Sequence, residues 1–171
     1  MSRDCPMLQM IQTRNRRKGM MTTTTDRSLE ELAARLGATI ITHDGGEKGR
    51  YYGRGIISLR RNLGPKNYRC TLAHELAHHA LGHDPAATGW VYQRQERQAE
   101  KWAAQHLISP NEYAAAETLY GPQPSQIAHE LGVTVKVLET WITIYERNAP
   151  HEYRSGYSRS ICKSQRAETH N

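Results

Sequence analysis

The pattern of apolar and polar positions divides the chain into a short extended region and a series of helices. Residues 26–38 ("DRSLEELAARLGA") place Leu29, Leu32 and Leu36 on one helical face, which predicts a helix that ends at Gly37. The next segments, "ATIITH" and "RYYGRGIISL", lose the helical period and are rich in β-branched and aromatic residues. They predict two extended stretches joined by the turn "DGGEKG".

Helical periodicity returns after the "GP" of residues 64–65. It predicts one long helix from about Asn67 to Leu81 and a second from about Arg94 to Leu107, with residues 84–93 ("DPAATGWVYQ") as the loop between them. The segment "NEYAAAETLY" is a further helix, and residues 125–146 are two helices joined at Gly132. This order predicts an α+β fold, in which a small antiparallel sheet packs on the two long helices and a C-terminal helical hairpin follows.

The net charge of +6 is concentrated at the two ends of the chain. Residues 26–149 hold 14 basic and 14 acidic residues, whereas residues 1–25 carry +4 and residues 150–171 carry +2. We therefore predict one domain at 26–149, flanked by basic, disordered arms at 1–25 and 150–171. Such arms contact nucleic acid weakly and without sequence specificity.

The sequence does not fit a membrane-spanning protein or a disulfide-rich secreted protein. No segment approaches the roughly 18 consecutive apolar residues of a membrane span, and the first residues lack the apolar run of a secretory signal. The three cysteines, at positions 5, 70 and 162, are odd in number and form no Cys-x-x-Cys pair. We therefore expect a cytoplasmic protein.

The stretch "HELAHHALGHD", at residues 74–84 on the first long helix, carries the candidate chemistry. His74 and His78 are four positions apart, so their imidazoles share one helical face and can bind one ion. Glu75 lies about 100° around the axis, beside that ion, which suits a general base acting on water. The H-E-x-x-H arrangement predicts His74 and His78 as ligands of one zinc ion per chain and Glu75 as the catalytic base.

A catalytic zinc site takes three protein ligands and leaves one position open, so this pair is incomplete. His83 falls one residue too early for the pattern H-E-x-x-H-x-x-G-x-x-H, which favours a residue at the helix end. His79 points roughly 100° away from the face of His78. A Cys70 thiolate would add a fourth protein ligand and close the site, so we predict a small buried residue there.

The second long helix supplies a better third ligand. Glu96 and Glu100 share a face at i and i+4, and the nearby Ala99 and Ala103 permit close packing of this helix on another. We predict that Glu96 ligates the metal ion. Glu100, one turn further on, is predicted to accept the Nδ1–H of a ligating histidine.

With these residues in place, the chain resembles the ImmA/IrrE family of zinc peptidases over about 120 residues, from "LEELAARLG" to "WITIYE". The blocks "TLAHELAHHALGH" and "ERQAEKWAAQHLISP" carry the resemblance, and the second is similar to that family's pattern E-x-x-A-x-x-F-A-x-x-L-L-x-P. The family's zinc histidines fall on His74 and His78, its catalytic glutamate on Glu75 and its third ligand on Glu96.

The sequence departs from the family at Glu100, where Asp or Asn is usual, and at Trp102, where Phe is usual. Neither change removes a ligand. The resemblance implies a bacterial or phage endopeptidase that cleaves a transcriptional repressor, often the immunity repressor of a mobile element. The implied partner is therefore a repressor protein encoded nearby.

Peptide hydrolysis also needs a donor for the oxyanion and a surface for the substrate. Tyr92, Tyr113 and His106 are candidate oxyanion donors, which the sequence does not rank. The segment "RGIISL" is predicted as an edge strand that pairs with an extended substrate.

Two other functions compete with the endopeptidase. The segment "IAHELGVTVKVLETW" resembles the helix-turn-helix of a DNA-binding regulator, with Ala128, Gly132 and Thr134 at the expected offsets. Its second helix offers Lys136 opposed by Glu139, whereas a groove-reading helix is clearly basic, so a packing role is favoured. A DNA-associated repair protease would be expected to use a third histidine as ligand.

Overall fold

The computed structural model describes residues 24–148. Within this range the chain forms six helices and three strands. In chain order they are α1 Thr24–Arg35, β1 Thr39–His43, β2 Gly49–Tyr51, β3 Ile56–Arg60, α2 Pro65–Ala80, α3 Gly89–Leu107, α4 Pro110–Tyr120, α5 Pro124–Glu130 and α6 Val135–Asn148. The predicted arms lie outside the described residues, except that Thr24 and Thr25 open α1.

The three strands form one mixed sheet in the order β1-β3-β2, which confirms the α+β class. The expectation of a purely antiparallel sheet is wrong, since β1 pairs with β3 in parallel and only β2 pairs with β3 antiparallel. Burial explains the order. Ile57 and Leu59 of β3 are almost inaccessible to solvent, so this strand takes the centre, while the more exposed β1 and β2 flank it.

The predicted second extended stretch, "RYYGRGIISL", is two strands and a turn. Gly53, Arg54 and Gly55 all have positive φ (86°, 50° and 78°), and the N–H of Ile56 donates to the carbonyl of Gly53 at 2.9 Å. This left-handed run reverses the chain and pairs β2 with β3. The prediction of "RGIISL" as an edge strand is therefore wrong, because β3 is central and the edge strands are β1 and β2.

The helix α2 is the centre of the core. Leu72, Ala73 and Leu76 are fully buried and belong to the same cluster as Ile57 and Leu59 of β3. This helix packs on the sheet from one side and on α3 from the other. Its position puts "HELAHH" at the junction of sheet and helices.

The helix α3 begins at Gly89, earlier than the predicted Arg94, so half of the predicted loop is helical. The apolar residues of this first turn face solvent, with Trp90 71% exposed and Tyr92 51% exposed. Because the apolar residues of this first turn point outward, they do not continue the buried stripe of the helix. The apolar periodicity of the sequence therefore does not mark where α3 begins.

The hairpin of α5 and α6 packs on α3 through α6, with Leu138, Trp141 and Ile142 buried. Arg69 of α2 fixes its position. The guanidinium donates to the carbonyl of Leu107 at the end of α3 (3.1 Å) and to that of Leu131 at the end of α5 (2.6 Å). Helix ends leave such carbonyls unsatisfied, so this one side chain joins three helices. No helix within 24–148 is long and apolar enough to cross a membrane.

Candidate metal centre

Three side chains from α2 and α3 converge. The Nε2 atoms of His74 and His78 lie 3.2 Å apart, and Glu96 places Oε2 3.4 Å from His74 Nε2 and Oε1 3.3 Å from His78 Nε2. Zinc–nitrogen and zinc–oxygen bonds of about 2.0–2.1 Å in a tetrahedron separate neighbouring ligand atoms by about 3.3–3.4 Å. The spacing of these three groups therefore fits a metal ion.

Small side chains bring the two helices close enough for this convergence. Ala73 and Ala77 of α2 and Ala99 and Ala103 of α3 are all buried, and the two helices make extensive contact. Without bulk at these positions, a glutamate on α3 reaches across to histidines on α2. The packing role predicted for Ala99 and Ala103 is confirmed.

The protonation states of His78 and Glu96 suit metal ligation, whereas the pKa of His74 is shifted in the opposite direction. Burial and the neighbouring His74 lower the pKa of His78 to about 4, so its ring is neutral at pH 7. The hydrogen bond with His74 lowers the pKa of Glu96. Burial opposes charge on His74, but its hydrogen bond to Glu96 and the charge of Glu75 leave its pKa raised. A neutral imidazole and an ionised carboxylate are the forms that bind metal ions.

Glu75 is 7% exposed and lies between α2 and the edge strand β2. Burial raises its pKa to about 7, against the lowering effects of His74 and the backbone N–H of Tyr51. A carboxyl group with this pKa can accept and return a proton near neutral pH.

Gly49 is a site residue that the sequence analysis missed. A Cβ at this position would overlap the Thr71 methyl group and lie 3.0 Å from Glu75 Cγ and Oε1. Only glycine lets β2 lie this close to α2. A glycine inside a strand is the signal for such an approach, but the many glycines between residues 45 and 55 obscured it.

The cluster lies in an open cleft formed by two cavities, both lined by Gly49, His74, Glu75 and Glu96. The α6-side cavity, of about 380 Å³, is further lined by Lys48, Asn67, Thr71, Lys136 and Thr140. The loop-side cavity, of about 670 Å³, is further lined by Arg50, Tyr52, Asp84, Pro85 and Tyr92. The candidate ligands His74 and Glu96 and the candidate base Glu75 thus line both cavities and lie where the two meet.

Glu100 does not make the predicted hydrogen bond to a ligating histidine. Its Oε1 accepts from Lys136 Nζ of α6 at 2.6 Å, and no hydrogen bond joins it to a histidine in the described part of the chain. The approach of α6 along α3 explains the difference, because it brings a cation within reach of this carboxylate. Glu100 acts on His74 only through its charge, which raises the pKa of that ring.

Of the three candidate oxyanion donors, only Tyr92 lines the cleft. Tyr92 lines the loop-side cavity together with His78 and Glu96. Tyr113 is buried away from the cleft, where its ring packs on Trp141 and its hydroxyl donates to Glu117. His106 stacks on the ring of Trp102 and donates to its carbonyl. Neither Tyr113 nor His106 lines either cavity.

The other nearby side chains lie outside the convergent group. His83 is buried behind His78 with its Nδ1 3.0 Å from His78 Nδ1, on the side of that ring opposite Nε2. Cys70 is buried, its Sγ accepts from the N–H of Thr134, and burial raises the pKa of its thiol. Among residues 24–148 the candidate metal group is therefore two histidines and a glutamate, with no third histidine.

Comparison with known proteins gives one family. The model of the IrrE N-terminal-like domain, Peptidase M78, matches residues 32–142, well over half of the chain. The match spans the sheet, the cluster of His74, His78 and Glu96, and most of the C-terminal hairpin. No curated protein matches the chain.

Proposed function

Because the chain belongs to the IrrE N-terminal-like family, Peptidase M78, which is a family of metallopeptidases, we propose that it is a zinc-dependent endopeptidase that cleaves a transcriptional repressor. The observation that carries the proposal is the convergence of His74, His78 and Glu96 to 3.2–3.4 Å beside the buried Glu75. A cytoplasmic site of action belongs to the proposal and rests on the dispersed cysteines.

The donor set supports zinc. Two imidazoles and one carboxylate are the ligands of known catalytic zinc sites, and three protein ligands leave one position for water or substrate. His74, His78 and Glu96 would hold the ion, which would supply Lewis-acid chemistry to the scissile carbonyl and lower the pKa of water toward about 7.

Glu75 moves the protons in the proposed mechanism. Its carboxylate takes a proton from the attacking water as the new carbon–oxygen bond forms. It then delivers that proton to the amide nitrogen as the carbon–nitrogen bond breaks. Burial between β2 and α2 keeps the carboxyl group out of bulk water and raises its pKa to about 7, which suits both transfers.

Tyr92 is the proposed oxyanion donor. It is the one of the three candidates that lines the cleft beside His78 and Glu96. Its phenolic O–H can donate to the oxygen that gains charge when the carbonyl is attacked. The residue stands on the first turn of α3, and Glu96 follows on the next turn of the same helix.

The edge strand β2 is the proposed docking surface for the substrate backbone. Lys48 O accepts from Arg60 N at 2.8 Å and Tyr52 N donates to Ile56 O at 2.9 Å, so these groups face β3. In an antiparallel ladder the intervening groups, those of Gly49 and Tyr51, face the other way. The N–H of Tyr51 bonds to Glu75, so the groups proposed to pair with a substrate are those of Gly49 and the carbonyl of Tyr51. An extended substrate can pair there and pass the candidate ligands along the cleft.

A repressor encoded near this gene is the proposed substrate, on the strength of the family resemblance. The test is co-expression with that repressor, followed by intact-mass analysis of both chains. Cleavage at one bond by the wild type, and none by Glu75→Gln, is the expected result. A repressor cut equally by both proteins would contradict the assignment of Glu75.

No observation favours the DNA-binding alternative. Residues 124–148 hold two basic and three acidic residues. Trp141 and Leu138 of the would-be reading helix are buried in the core, while Lys136 is paired with Glu100 and lines the cleft. The hairpin thus forms part of the wall of the candidate active site.

A further inference from the structure

His83 is buried against His78, although five residues separate them and this spacing is not a helical repeat. The helix α2 ends in a Schellman motif, in which Gly82 N–H bonds to the His79 carbonyl and His83 N–H to the His78 carbonyl. Gly82 adopts the left-handed conformation (φ 64°) that this motif needs. The chain therefore turns back under its own last turn, and the His83 side chain is buried against His78.

The two rings meet through their Nδ1 atoms. These atoms lie 3.0 Å apart, the ring centroids 4.9 Å apart, and the planes cross at 74°. A hydrogen bond between two imidazole nitrogens needs a proton on one and a lone pair on the other. The direction of this bond therefore fixes the tautomer of both histidines.

The metal cluster sets that direction. His78 presents Nε2 to the cluster, and a ligating nitrogen carries no proton. A neutral His78 must then carry its proton at Nδ1, and His83 Nδ1 must accept it. The remaining proton of His83 is then on Nε2, which is buried.

We propose that His83 is a positioning residue of the metal centre. By accepting the Nδ1–H of His78, it holds that ring in the tautomer and orientation that present Nε2 to the ion. This inference rests on the metal-binding part of the proposed function. It also gives to His83 the role that the sequence assigned to Glu100, whose carboxylate is paired with Lys136.

The test measures zinc affinity of the full-length protein by competition with a chelating indicator at pH 7.5. His83→Leu removes the acceptor, and we expect binding about 10- to 100-fold weaker than wild type. His83→Asn keeps an acceptor oxygen near the place of Nδ1 and should recover most of that loss. His129→Leu, at an exposed position of α5, is the control and should bind as wild type does.

The conservative variant separates positioning from packing. Equal losses in His83→Leu and His83→Asn, or wild-type affinity in His83→Leu, would overturn the inference. Should His83→Leu fail to fold, histidine ¹⁵N NMR of the zinc-loaded wild type decides. A hydrogen-bonded proton on His78 Nδ1 supports the inference, and its absence contradicts it. Failure of the proposed function is distinct, since the wild type would then bind no zinc.

Discussion

Gly49 lies directly against Glu75, so that a Cβ added to the glycine would stand 3.0 Å from both Cγ and Oε1 of the glutamate. The edge of the sheet and the candidate base are thus in contact with no side chain between them. On the proposed docking, a substrate strand paired to β2 would lie at a fixed distance from the Glu75 carboxylate. The missing side chain makes this geometry possible.

Gly49→Ala should reduce peptidase activity while leaving the metal bound. The new methyl group must displace Thr71 and press on Glu75, or lift β2. Misplacement of a catalytic group by about 1 Å can cost about 100-fold in rate. Cleavage rate and zinc content are the measurements. Gly64→Ala is a matched control, since a Cβ there meets nothing within 4 Å. Equal activity of both variants would show that the close contact is dispensable.

Glu96→Ala should lose zinc nearly as completely as His74→Ala, because each removes one of three convergent ligands. Metal analysis of the purified proteins measures this. Glu100→Gln should keep its metal, since Glu100 bonds to Lys136, whose side chain is 74% exposed. Exposed pairs of this kind contribute about 1 kcal/mol or less to stability. Full zinc retention by Glu96→Ala would refute the ligand assignment.

Tyr92→Phe should lower the maximal rate with little change in zinc content, since it removes only the hydroxyl group. Loss of one oxyanion donor typically costs about 100- to 1,000-fold in rate. Tyr113→Phe serves as the comparison, because that hydroxyl bonds to Glu117 outside the cleft. If the Tyr92 variant cuts at the wild-type rate, the donor is another group.

In the metal-free protein, the stability that Glu75 contributes should be lost as pH rises from about 4.5 to about 7. Burial raises the folded-state pKa of Glu75 from 4.5 to about 7, so in this window the folded chain binds the extra proton. Glu75→Gln removes the effect and should be more stable than wild type at pH 8, by on the order of 2 kcal/mol. The difference should shrink toward pH 5.

Urea unfolding in the presence of a chelator measures this difference. His78 acts in the opposite sense, since its pKa is lowered from 6.5 to about 4 and its contribution to stability appears as pH rises through that range. Comparing the variant with wild type at each pH cancels the contribution of His78. The exposed Glu139→Gln is the control and should show no such pH-dependent gain.

A chain shortened to residues 24–150 should fold, bind zinc and retain activity, because its charge sums to zero and it includes every described element. Weak DNA binding by the full chain should be confined to the basic arms and fall steeply with added salt. Gel shifts at low and moderate salt compare the two chains. DNA binding by the short chain equal to that of the full chain would revive the helix-turn-helix interpretation.

Local spacing predicted the parts of the site that depend on one helix or on helix packing. His74 and His78 follow from the four-residue repeat, and Ala99 and Ala103 signalled a close helix contact. The order of the strands in the sheet could not be predicted from local spacing, because it depends on which strand is most buried after packing. The contact of His83 with His78 was not predicted, because a separation of five residues is not a helical repeat. Only the left-handed conformation of Gly82 brings His83 back to His78. Gly82 itself was the available signal.

The candidate ligands are divided between two helices, with His74 and His78 on α2 and Glu96 on α3. During synthesis the histidine pair leaves the ribosome first, as a helix with two of the three ligands and no complete site. On the proposed function, a nascent chain would therefore be unable to cleave until α3 has been made and has docked on α2. Activity would then depend on the folding of this helix pair, which would prevent premature proteolysis.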